Sequence, residues 1–319
     1  MVNRNASEKM DMNKKGIFFT FVVIVILTLF ILTYTFYSDV KDRKSIQKRI
    51  TTMNDFVFSV EKDIPRQLYI SGFRTIFLIQ KDIIENGNYV QDLNQTFDNA
   101  FFNGELNGQI QEIMLGATFS DIEDNLKQKA DKLNLNISLS NPEISVFQTD
   151  PWNIEFHLIS NFYVVDQGNL ASWNKTQDFV GIISIESFED PLYTLNTNNL
   201  VVNKIKKTPH SVFVTGQNVS NLLNHTLESY YISSSLSPSF LDKLQGESTA
   251  NEHGIESLVN LQELAAQGMQ MKDKSVVDYI YFSDINPNSC KVNGMPSWFR
   301  IDSDRLELYQ VQEIEYDCS

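Results

Sequence analysis

The side chains able to do chemistry are few in this 319-residue chain, and their spacing does not gather them. Four histidines, His157, His210, His225 and His253, stand too far apart for a local metal-ligand set, and neither cysteine lies near one of them. No G-x-S-x-G, H-E-x-x-H, Walker A or G-x-G-x-x-G pattern occurs, so no nucleophile, zinc site or phosphate cradle is signalled. Glu186, Glu189 and Asp190, and again Asp302 and Asp304, could offer carboxylate oxygens to Ca²⁺. Neither run has the spacing of a dedicated calcium loop, and both read as solvated turns. Cys290 and Cys318, the only cysteines, permit one disulfide closing the C-terminal tail or two free buried thiols. The reading is a non-enzymatic protein with no catalytic residue, no metal and no cofactor.

The elements that would hold these groups begin with an exceptional one. From Gly16 to Ser38 there is no charged residue, and residues 17–37 are almost wholly apolar. At about 1.5 Å of rise per residue such a helix spans roughly 30 Å, the hydrocarbon thickness of a bilayer. A cleaved secretory signal has a shorter apolar run and a small-residue cleavage site, and SDVKDRKS follows here instead. Residues 16–37 are therefore expected to cross a membrane once, with residues 1–15 as a cytoplasmic basic n-region. The chain's net charge is −14; Arg4, Lys9, Lys14 and Lys15 outnumber Glu8 and Asp11 before the helix, which leaves −16 after it. An acidic exterior excludes nucleic acid as a partner, since phosphate neutralisation needs the opposite sign. Lys and Arg flank the helix on both sides, but long domains are translocated largely regardless of charge, so the C-terminal mass is placed outside the cytoplasm. Sequons at Asn94, Asn136, Asn174, Asn218 and Asn224 agree with that side.

Beyond the span, Ile46, Ile50, Met53, Val57, Val60 and Ile64 recur at alternating spacings of four and three, the stripe of a helix that packs along a narrow seam. Residues 38–64 read as an amphipathic stalk whose seam packs either on the protein's own head or on neighbouring subunits. Pro65 is expected to end or kink it. A helical region follows over 65–134: one helix from Arg66 to Glu85, stopped at Asn86-Gly87-Asn88, and a further stretch from Gln109 to Leu133 that is one helix or, given a capping box at Ser120–Glu123, two short ones. At Leu135 the period becomes two. Ile154, Phe156, Leu158, Phe162 and Val164 share a strand face, with His157 on the opposite, solvent side; Phe179 to Phe188, Ser211 to Thr215 and Val276 to Phe282 are further strands, and Val219 to Tyr230 a helix. The aromatics of VVDYIYF and PSWF read as sheet core. The fold class is thus α+β: a long N-terminal transmembrane helix continuing as a stalk, short helices, then a mainly antiparallel sheet in an extracytoplasmic domain over 135–319.

Lys14-Lys15-Gly16 leads into the apolar run at Ile17 with no linker, and this junction resembles the class III signal of type IV pilins and archaellins. The resemblance covers Asn13 to Ile64. It implies recognition of Lys14, Lys15, Gly16 and Ile17 by a prepilin peptidase that cuts after Gly16, retention of the helix, and packing against other pilin-like subunits. Lysines would hold the n-region against anionic lipid, and a side-chain-free Gly would let the backbone enter the protease. The fifth residue counted from Ile17 is Phe21, where many pilins carry Glu for subunit registration, which points to a minor subunit rather than a major one. SIESFEDPLY, GIESLVN, VDYIYF and GMPSWF resemble uncharacterised archaeal surface proteins with such N-termini. The alternative is a single-pass anchored binding module that never polymerises; an anchored enzyme would need a constellation that the sequence does not offer.

Overall fold

One helix organises the molecule. In a computed structural model that describes the backbone of residues 5–318 and the side chains of residues 16–318, α1 runs unbroken over Asn5–Asn86. Residues 1–4 and the side chains of the expected n-region, Lys14 and Lys15 among them, lie outside the described residues. Pro65 does not end the helix. Its missing N–H costs one ladder bond, but Ile64 and Leu68 on either side are completely buried in the head, and that packing outweighs the loss. The helix stops at Gly87, whose φ of 68° takes the left-handed conformation and whose N–H caps the Ile83 carbonyl.

The rest follows as α2 (Leu93–Asp98), a π-turn at Asn99–Asn103, the hairpin β1 (Glu105–Leu106) and β2 (Gln109–Ile110), and α3 (Phe119–Asp131). The expected helix from Gln109 is thus replaced at its start by a hairpin. Asn107 and Gly108 both have positive φ, the signature of a tight two-residue turn. The capping box belongs to Thr118 and Asp121 rather than to Ser120, because the Thr118 side chain meets the N3 amide while Asp121 reaches back. Next come β3 (Leu135–Asp150), β4 (Asn153–Asp166) and β5 (Ser172–Ser184), an antiparallel meander with β4 at its centre.

The C-terminal part is assembled from short pieces: α4 (Pro191–Asn196), α5 (Ser220–Leu227), β6 (Tyr231–Ser233), α6 (Phe240–Gln245), β7 (Ile255–Ser257), α7 (Leu261–Ala266), α8 (Asp278–Phe282), β8 (Ser289–Val292), β9 (Ile301–Asp302) and β10 (Tyr316–Cys318). Strands β6 and β7 pair with each other, and β10, β8 and β9 form a third antiparallel sheet. Two expected strands are corrected. Ser211 to Thr215 contributes only a single bridge, Thr215 to Asn218. In VVDYIYF, Val277 makes one bridge to Leu258, and the chain then turns into α8, because the Asp278 carboxylate accepts the Tyr279 amide at 2.7 Å and is held from the other side by Lys243. Tyr279 and Tyr281 are core residues as expected, but on a helix.

Two large apolar cores result, with a small third cluster of Leu78, Leu106, Met114 and Ala117. The first joins α1 from Met53 upward to α2, α3 and the inner face of β3–β5, where Ile154, Phe156, Leu158, Phe162 and Val164 are all fully buried. The second is built from residues 192–314, around Tyr193, Tyr281, Phe299 and Tyr309. Glycine sets the contact of α1 with the sheet: a Cβ on Gly181 would sit 2.7 Å from the Tyr69 amide nitrogen and 2.8 Å from Leu68 Cβ, so only a bare backbone lets the strand approach the helix this closely.

Candidate functional site

The apolar segment of α1 is exposed on every side. No residue of its most hydrophobic window, of mean hydropathy 2.8, is buried, and Ile17, Phe30 and Tyr37 are each about 70% exposed. It is the one helix among the described residues long and apolar enough to cross a membrane. Its polar groups are satisfied from within: Thr20, Thr28, Thr33 and Thr35 donate their hydroxyls to carbonyls three or four residues earlier. That is the arrangement a bilayer demands of any hydroxyl it surrounds. Gly16 and Ile17 lie inside the helix, with no neighbour within 4 Å of a Cβ placed on Gly16.

The seam residues divide. Met53, Val57, Val60 and Ile64 pack on the protein's own first core, whereas Ile46 and Ile50 below them are 38% and 40% exposed. Arg49 donates to the Asp166 carboxylate at 2.9 Å and marks where the head begins. So the seam is mostly intramolecular, and the freestanding stalk ends well before Ile64. The opposite face of the same helix shows exposed apolar side chains that the heptad pattern did not reveal. Phe58 and, eleven residues further on, Tyr69, Ile70, Phe73 and Phe77 are each more than 40% exposed, with Lys62 and Arg66 between the two groups and the Phe73 ring 5.1 Å from that of Phe188. Lys62 lies 4.0 Å above the Phe58 ring. A group of exposed apolar side chains on a charged head is the kind of patch that marks contact with another molecule.

His157 and His253 stand apart from the other histidines, whereas His210 and His225 come near each other beside Thr208 and Tyr230. His225 is buried beside Phe213 and Tyr309, and burial, helped by His210, pushes it down to about 3, so it is a neutral core imidazole. His157 lies on the outer face of β4 with Glu155 Oε2 3.0 Å from Nε2 and Asp178 Oδ2 3.0 Å from Nδ1. Two carboxylates can both be partners only if both ring nitrogens carry protons, which is the imidazolium. Burial works against that charge, but the bonds to Glu155 and Asp178 outweigh it and the His157 pKa is raised. With the folded value above the unfolded one, near 6.5, this group's stabilisation is complete below about pH 6.5 and is lost as pH rises through the folded value. His157→Gln is expected to remove that dependence. Thermal unfolding of both proteins in mildly acidic and in alkaline buffer checks it: the variant's deficit should be present in acid and absent in alkali.

The acidic runs are not solvated turns throughout. Asp190 and Asp302 are completely buried, each in an ion cluster. Lys243, on α6 and with no solvent exposure, donates to Asp190 Oδ2 and to Asp278 Oδ2, both at 2.7 Å. Asp190 caps α4 through the Leu192 amide (2.8 Å) and accepts the Tyr231 hydroxyl (2.9 Å). Asp278 Oδ2 also accepts the Ser257 amide (3.1 Å) and hydroxyl (2.9 Å). Beside this group Arg305 binds Asp302 at 3.0 Å and Glu256 at 3.4 Å, and Ser275 donates to Asp302 at 2.9 Å. The cluster stands between the cores: Tyr231, Phe240 and Leu244 belong to the first, Tyr193 and Ile280 to the second. The sequence pattern missed it, although Asp190-Pro191 is itself a helix-start signal that fixes one carboxylate at a cap.

Cys290 and Cys318 form a disulfide that ties β10 to β8. All five sequon asparagines are exposed. Among the described residues no group of His, Cys, Asp and Glu side chains is placed to hold a metal ion. No known protein family, curated protein or solved structure matches this chain.

Proposed function

We propose that this is a non-enzymatic, single-pass membrane-anchored surface protein of pilin-like type, with its head outside the cytoplasm, acting as a minor subunit of a type IV filament or secretion-type assembly. One observation carries the reading: a single uninterrupted helix continues from the exposed apolar segment at Gly16 to a group of exposed apolar side chains on the head, Tyr69, Ile70, Phe73 and Phe77. A plain tether needs only the apolar span. A helix that keeps exposed apolar side chains on the head has a second apolar surface to cover, and a neighbouring subunit's helix has the matching shape. The junction at Lys14-Lys15-Gly16-Ile17 supplies the processing step by resemblance, and the archaeal source belongs to the same proposal. Mass spectrometry of the N-terminus, on protein recovered from membranes with a prepilin peptidase present, tests it. A mature chain beginning at Ile17 is expected; a chain still beginning at Met1, Met10 or Met12 overturns the pilin reading.

The second reading, an anchored binding module that never polymerises, is favoured by Phe21 at the registration position and by a groove of about 410 Å³ between α1 and α3, lined by Phe56, Val60, Leu126 and Leu133. It requires an uncut n-region, so the same mass measurement separates the two.

A further inference from the structure

We propose that Lys243 and Asp278 react with each other to form an intramolecular amide bond that covalently joins the two cores, with Asp190 relaying the proton. The sealed cluster already presents every group this condensation needs. The Lys243 nitrogen lies 2.7 Å from Asp278 Oδ2, one bond from the carbon it would attack, and side chains of all three participants are fully buried. The Ser257 amide and hydroxyl both donate to that same oxygen, at 3.1 and 2.9 Å, which is where negative charge develops as the tetrahedral intermediate forms. Asp190 touches the same lysine nitrogen at 2.7 Å and is kept in place by the Tyr231 hydroxyl and the Leu192 amide. Asp190 is thus fixed as the relay, and Asp278, the carboxyl that carries the Ser257 donors, is the one that acylates Lys243.

The balance is that of a condensation. The bond from Nζ to Cγ of Asp278 forms and one C–O bond of that carboxylate breaks. Of the three ammonium protons, one stays on the amide nitrogen; the other two leave with the carboxylate oxygen as water, one of them by way of Asp190. No oxidant or other co-reactant is consumed. Burial raises the Asp278 carboxyl to about 6, against the opposing charge of Lys243, so it takes up a relayed proton readily. Lys243 keeps its proton firmly, because Asp190 and Asp278 outweigh its burial, and transfer to Asp190 is therefore the slow step. Confinement offsets this. Groups held at contact in a dry interior gain an effective molarity of roughly 10⁵ M or more over free reactants. The product also removes a buried ion pair, whose desolvation is otherwise uncompensated by solvent.

The test is peptide mass analysis of the full chain, purified in detergent, reduced, denatured and digested. A branched peptide joining the segments that contain Lys243 and Asp278, one water lighter than the two together, is the expected result. Linear peptides with both side chains unmodified overturn the proposal, and so does a branch to Asp190 in place of Asp278. Asp190→Asn, which keeps both bonded residues but not the relay, is expected to leave the branched peptide at least tenfold less abundant; an undiminished branch removes Asp190 from the reaction. The wild-type digest decides the bond by itself if that variant does not fold. The reaction does not depend on cleavage after Gly16 or on assembly.

Discussion

Compared with the head before any Lys243–Asp278 amide forms, Lys243→Met is expected to be less stable by about 3–5 kcal/mol, the usual result of removing one partner from a buried ion cluster. The lysine is completely enclosed and stands between Asp190 and Asp278, at 2.7 Å from each. Methionine fills much of the same volume, so the loss comes from two carboxylates left facing each other rather than from a cavity. The pH dependence identifies the cause. Asp278 lies above its ordinary value even with the lysine present, through burial, and loses an opposing charge in the variant. A carboxyl whose folded pKa exceeds its unfolded one contributes most below the unfolded value, near 3.9, and that contribution is lost as pH rises through the folded value. The variant's deficit is therefore expected to grow from pH ~4 to neutrality. Chemical unfolding followed by near-ultraviolet circular dichroism across that range reads it; a deficit that does not change with pH would assign the effect to packing. The lysine nitrogen of the proposed cross-link is absent from the same protein, so its digest is the blank for the branched peptide.

Phe156→Ala is expected to cost about 3–5 kcal/mol by cavity formation at the centre of the first core. Phe156 is fully buried on β4, with the Phe97 ring 5.7 Å and the Phe101 ring 5.4 Å from its own. A Cβ placed on Gly72 would meet its ring at 3.2 Å, so α1 lies directly over it. The side chain thus joins the long helix, the α2 segment and the sheet. Its neighbours belong to long elements with little freedom to collapse into the space. The denaturation midpoint of the full chain, with an unchanged dependence on denaturant concentration, measures the loss. A cost below about 1.5 kcal/mol would mean that the core closes over the vacancy, as cores do for volume-conserving exchanges.

Where a signal is local, it was legible. The apolar run from Gly16 to Tyr37 contains its own periodicity and length, and α1 carries it without a break. Strand β4 shows its two-residue alternation directly, and this alone places Ile154, Phe156, Leu158, Phe162 and Val164 on one face. The stop at Asn86-Gly87 needs only the left-handed conformation of a glycine. Pro65, by contrast, is a strong local breaker whose effect is cancelled by the core packed around Ile64 and Leu68. VVDYIYF has strand propensity throughout, yet only tertiary contact with Lys243 decides that the chain turns at Asp278.

Sequence alone determined that this protein carries one helix fit for a bilayer, an acidic α+β head and one possible disulfide, because hydropathy, charge and residue spacing are properties of neighbours along the chain. Only the tertiary structure decided that the seam from Met53 to Ile64 is used up inside the head, and that Phe58, Tyr69, Ile70, Phe73 and Phe77 stay exposed on the other face of the helix. It alone gathered Asp190, Lys243 and Asp278, at sequence separations of 53 and 35, into one dry cluster. The physical reason is that an isolated Lys or Asp is most stable in water. Its burial is specified by partners far along the chain, and no local pattern encodes them.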